Sequence, residues 1–119
     1  MKYYANDIYP IALVLSKDVE SVNKEYYNAA QGPEEDIKIG NSQATTYFLT
    51  RRTNEYYAMA VGIIFNVEPT TRLKAHEMFH ATRMMLDYGV NMPLTDSSEE
   101  AYAYLQGWIA ECIEDFFKQ

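Results

Sequence analysis

The chain has 119 residues, with 17 acidic against 10 basic side chains, a formal charge of −7 and a pI near 4.7. That length suits one domain with a modest core, and 48% hydrophobic residues exclude a mainly disordered chain. The acidic balance argues against non-specific binding of nucleic acid or of an anionic membrane, and the single cysteine, Cys112, excludes an internal disulfide framework.

The longest nearly uncharged apolar run, Ala58 to Phe65, is far too short to span a membrane. Asp7 and Pro10 fall where a signal peptide would need apolar residues. These features together predict a small cytoplasmic α+β domain in a reducing compartment.

Taken in chain order, residues 3–15 read as one extended strand, with Pro10 at its start or on an edge. Ser16-Lys17-Asp18 opens a helix carrying Val19, Val22 and Tyr26 at helical spacing, and this helix is expected to end near Asn28 to Ala30. Residues 31–42, rich in turn formers and charge, form the main loop. Thr45–Thr50 and Tyr56–Phe65 read as a hairpin around a short polar loop. The second of these strands is apolar on both faces, so it should lie under a helix. Thr70 or Thr71 caps a helix that runs to Gly89, and Asp96 to Glu100 open a last helix reaching Phe117. The apolar stripe of that helix is Ala101, Tyr104/Leu105, Trp108/Ile109, Cys112 and Phe116. The expected architecture is a short mixed sheet of about three strands packed on the last two helices.

Both histidines of the chain fall in one motif, His76-Glu77-Met78-Phe79-His80. Residues four apart share a helix face, so the two imidazoles can approach a single ion. Glu77, about 100° around the helix from His76, can reach a water on that ion and serve as general base. A catalytic zinc site normally takes three protein ligands, so a downstream carboxylate is demanded. Glu99 and Glu100 are the candidates. With Asp96 as N-cap, Glu99 closes a capping box and Glu100 projects inward on a stripe with Tyr104 and Gly107. With Ser97 as N-cap the roles reverse.

The motif followed by Ser98-Glu99-Glu100-Ala101-Tyr102-Ala103-Tyr104 resembles the gluzincin branch of zinc metallopeptidases in a minimal, zincin-like core. It is also similar to short His-Glu-x-x-His proteins encoded by phages and mobile elements. The resemblance implies one zinc ion held by His76, His80 and Glu100, with Glu77 as base. It further implies an edge strand lying across the cleft that can bind an extended peptide. No histidine follows Glu100, so transition-state donation would fall to Tyr104, Tyr88, Tyr102 or Arg83. Arg83 can equally pair with Asp87 at i,i+4.

Three readings follow: a zinc-dependent hydrolase acting on a peptide or protein; a module in which zinc staples the last two helices; and an unmetallated binding protein. The oligomeric state is left open.

Overall fold

Strands that are apolar on both faces, and not only the total number of apolar residues, decide the architecture. The computed structural model describes residues 1–53 and 59–118. Its elements are β1 (Lys2–Tyr4), β2 (Ala12–Ser16), α1 (Val19–Glu25), β3 (Tyr26–Asn28), β4 (Ala44–Arg51), β5 (Met59–Phe65), α2 (Thr71–Arg83), a π-helical segment (Met84–Gly89) and α3 (Glu99–Phe117). The strands form one mixed sheet in the order β1-β2-β5-β4-β3, with β2 and β5 parallel and the other pairs antiparallel.

On one face of the sheet, Leu13, Leu15, Val61, Ile63 and Phe65 pack against Ala81, Met85, Leu105 and Ile109 of the helices. On the other, Val14, Ala60 and Ile64 pack against Val22, Tyr26 and Ile37. Two covered faces explain why β5, central in the sheet, is apolar at nearly every position. Gly62 sits where β5 meets Leu49 of β4, and a Cβ there would collide with Leu49 Cδ1.

Five strands stand where about three were expected, and two local causes account for the difference. The single strand anticipated over residues 3–15 is a pair, because Asn6 Oδ1 accepts from the N–H groups of Ile8 (2.8 Å) and Tyr9 (2.9 Å) and turns the chain. The first helix stops at Glu25 instead of near residues 28–30, because Tyr26, Tyr27 and Asn28 pair with Arg51, Thr50 and Leu49. Tyrosine suits a pleated, half-buried surface better than a helix interior.

Other boundaries agree with local chemistry. Asp18 caps α1 by accepting from the Glu20 N–H, and Thr70 caps α2 by accepting from the Leu73 N–H. The β4–β5 hairpin forms, although the expected strand start at residues 56–58 and part of its loop lie outside the described residues. The helix expected to run to Gly89 widens into π-helical turns after Arg83. Gly89 packs so closely on Ile11 that a Cβ would meet Ile11 Cδ1, while the left-handed residue that follows is Asn91, at φ 56°. None of the helices among the described residues is long and apolar enough to cross a membrane.

Candidate functional site

Helix α2 carries the histidine motif, and the packing of its neighbours sorts the motif's side chains. Glu77, Ala81 and Met85 turn inward to the sheet and the core. His76 and His80 stay exposed, one turn apart. Their Nε2 atoms stand 3.2 Å from each other, with the rings nearly perpendicular at 76°. Two nitrogens bonded tetrahedrally to one zinc at about 2.0–2.1 Å lie about 3.3 Å apart. The pair therefore fits two corners of a zinc coordination sphere.

Glu77 is a buried carboxylate, only 4% exposed. Thr46 Oγ1 donates to its Oε1 at 2.9 Å, and Oε2 lies 3.7 Å from His76 Nε2. Thr46 escaped the sequence reading. It is one polar residue on a strand face shared with Ala44 and Phe48, and nothing local distinguishes it from any other strand threonine.

His76 and Glu77 line a groove whose opposite wall is Ser42, Gln43 and Ala44, at the start of β4. Strand β3 covers β4 only over Leu49–Arg51, with one further bond from the Ala29 N–H to the Phe48 carbonyl at 2.9 Å. The period of an antiparallel strand turns the backbone N–H and C=O of Thr46 and Ala44 to that same side. Among the described residues, no strand pairs with them there.

The carboxylates of α3 lie elsewhere. Tyr102, Leu105 and Ile109 bury against Ala81 and Met85, which seats α3 on the Met78 flank of α2. Glu99 accordingly shares a groove with Met78, Phe79 and Ala103, and Glu100 is exposed. Met78 is about 200° around the helix from His76. Among the described residues, no three His, Cys, Asp or Glu side chains gather to hold an ion. The structure sets His76 beside His80 and Glu77 without completing a three-ligand cluster, and it does not bring Glu99 or Glu100 to them. Both capping schemes also give way: Ser98 is the N-cap, and its hydroxyl donates to the Pro93 carbonyl and accepts from the Thr95 N–H. Gly107 makes no close helix approach, since a Cβ there would meet open space.

The proposed transition-state donors are similarly dispersed. Arg83 Nε pairs with Asp87 at 3.4 Å and its guanidinium covers the Tyr88 ring at 5.4 Å, the i,i+4 pairing anticipated as the simpler alternative. Tyr104, expected on the apolar stripe, is 75% exposed, and Tyr102 takes the buried position with its hydroxyl donating to the Met92 carbonyl at 2.8 Å. Burial, with Asp87 nearby, holds the Tyr102 hydroxyl above the ordinary phenol range. Cys112 is buried in the core, where desolvation pushes its thiol up to about 11.

No protein-family model, curated protein or solved structure matches the chain.

Proposed function

We propose that this chain is a small zinc-binding hydrolase of the gluzincin-like metallopeptidase type, one ion per chain, in which His76 and His80 supply ligands and Glu77 the general base. The observation that carries the reading is the imidazole pair, Nε2 to Nε2 at 3.2 Å, beside a buried carboxylate held by a hydroxyl. A buried carboxylate with one neutral donor is costly unless a positive charge lies close, and a cation at the two nitrogens would supply it.

When bound, zinc provides an acidified water and an electrophile. Thr46 fixes Oε1 of Glu77, leaving Oε2 on the histidine side free to accept the water's proton and return it to a leaving amine. The uncovered edge of β4 at Ala44 and Thr46 offers N–H and C=O groups to an extended peptide, which favours a polypeptide substrate. Glu100, expected as the third ligand, is carried by α3, which packs on the other flank of α2. For the same reason a zinc staple between the last two helices draws no support from their seam, which is closed by apolar side chains. The single buried thiol suits a cytoplasmic setting.

The test is a comparison of Glu77→Gln with His80→Ala, scored for bound zinc and for hydrolysis of unfolded casein. Glu77→Gln should retain zinc and lose turnover, whereas His80→Ala should lose both. Full hydrolysis by Glu77→Gln overturns the base assignment, and undiminished zinc in His80→Ala overturns the site.

A further inference from the structure

A second concavity lies away from the histidine motif, where the β1–β2 turn meets the outer side of α3. It has a volume of ≈ 210 Å³, and its walls include Asp7, Tyr9, Ala101, Tyr104, Leu105 and Trp108. Room of that order takes a side chain and not merely a single water. Three aromatic rings from two elements therefore converge with one carboxylate.

The rings are held from behind. Tyr9 and Trp108 are half-buried against the main core, and the turn that carries Asp7 and Tyr9 is fixed by the two hydrogen bonds to Asn6 Oδ1. Tyr104 and Ile8 stand at the rim, 75% and 76% exposed. Lysines and arginines of this chain lie over the rings of Tyr3, Tyr4, Tyr26, Tyr27, Tyr88, Phe116 and Phe117. Among the described residues, none lies over Tyr9, Tyr104 or Trp108, none of these three rings stacks on another ring, and Asp7 has no ion pair.

Uncovered aromatic faces beside an unpaired carboxylate attract a cation whose stem is apolar. The ring faces supply the quadrupole, Asp7 the charge, and Ala101 and Leu105 contact for methylenes. The formal charge of −7 on the chain favours approach of a positive partner. We infer that this pocket binds the lysine or arginine side chain of a partner polypeptide, with its cationic head between Tyr104, Trp108 and Asp7. The inference does not depend on the metal site, since it uses none of its residues.

Trp108 is the only tryptophan in the chain, so its fluorescence reads this pocket. The 119-residue chain should be titrated with the N-acetyl methylamides of lysine, arginine and, as the neutral control, norleucine. The two cationic probes should give a saturable change in Trp108 emission, and the norleucine derivative should not saturate over the same range. Tyr104→Ala and Asp7→Asn, both at exposed positions that leave the fold intact, should each weaken the cationic probes by about two- to fivefold. Tetramethylammonium carries the charge without the stem and should bind at least about tenfold more weakly than the lysine derivative. Norleucine binding as tightly as lysine, no saturable change with either cation, unchanged affinity in both variants, or tighter binding of tetramethylammonium would each overturn the inference.

Discussion

Thr46 on β4 donates from Oγ1 to Oε1 of Glu77 on α2 across 2.9 Å, and this bond joins the strand that borders the groove to the carboxylate inside the histidine motif. The two residues are 31 positions apart in sequence, and both are buried. Their contact sets which oxygen of Glu77 faces the imidazoles.

Removing that donor should expose its worth. Thr46→Val keeps the shape but leaves a buried carboxylate oxygen unpaired, so it should destabilise the fold by about 1–3 kcal/mol. Thr46→Ser, which keeps the hydroxyl, should recover most of this. Urea unfolding of the three proteins reads the difference, and equal losses in both variants would show that packing, not the hydrogen bond, matters here.

The flank of α2 that α3 occupies yields a prediction about zinc. Glu99→Gln and Glu100→Gln should leave zinc affinity within about twofold of the parent, whereas losing either imidazole removes half the donors observed and should cost at least about tenfold. Equilibrium dialysis against zinc distinguishes them. A large loss in Glu100→Gln would mean that α3 shifts toward the histidines when metal is bound.

Asp115 gives the fold an acid-sensitive tie. The hydrogen bonds from Lys2 Nζ (2.6 Å) and the Tyr4 hydroxyl (2.7 Å) hold its carboxyl below the usual carboxylate range. Because its folded-state value is depressed, the stability it contributes is present above the unfolded value of about 4 and is lost as pH falls through the folded value. Asp115→Asn should therefore lower the urea midpoint at pH 6 and leave it nearly unchanged at pH 2. An equal effect at both pH values would assign the loss to something other than the charge.

Cys112 should be inert in the native protein. Its thiol is 6% exposed and pushed up to about 11, so little thiolate exists at pH 8. Labelling with a thiol reagent at pH 8 should be slow in buffer and fast in denaturing urea; rapid native labelling would show that α3 opens readily.

Packing at the seam of α2 and α3 is apolar, and Ile109 is fully buried within it. Ile109→Ala should cost about 2–5 kcal/mol in chemical denaturation, with zinc affinity at His76 and His80 maintained under native conditions. Coupled loss of both would tie the seam to the metal site.

Much of this molecule was legible in short stretches. The helix start at Ser16-Lys17-Asp18, the cap at Thr70, the β4–β5 hairpin, the loop over residues 31–42 and the Arg83–Asp87 pair all follow from residues within a few positions of each other. Tyr26–Asn28 leave the helix because the spacing of Tyr26 with Val19 and Val22 is outweighed by pairing with β4, some twenty-odd residues further on. The break in residues 3–15 was readable in principle, since Asn6, Asp7 and Pro10 are all turn formers.

By itself the sequence determined that two imidazoles would meet, because i and i+4 on one helix are neighbours whatever surrounds them. It also determined that Glu77 would stand about a quarter-turn away. Only the tertiary structure decided what surrounds that motif: Thr46 behind the carboxylate, an uncovered stretch of β4 across the groove, and α3 with Glu99 and Glu100 on the far flank. The reason is physical. Helix periodicity is a property of the local backbone, whereas the flank on which α3 settles is set by where Tyr102, Leu105 and Ile109 can bury most apolar surface against Ala81, Met85 and the sheet.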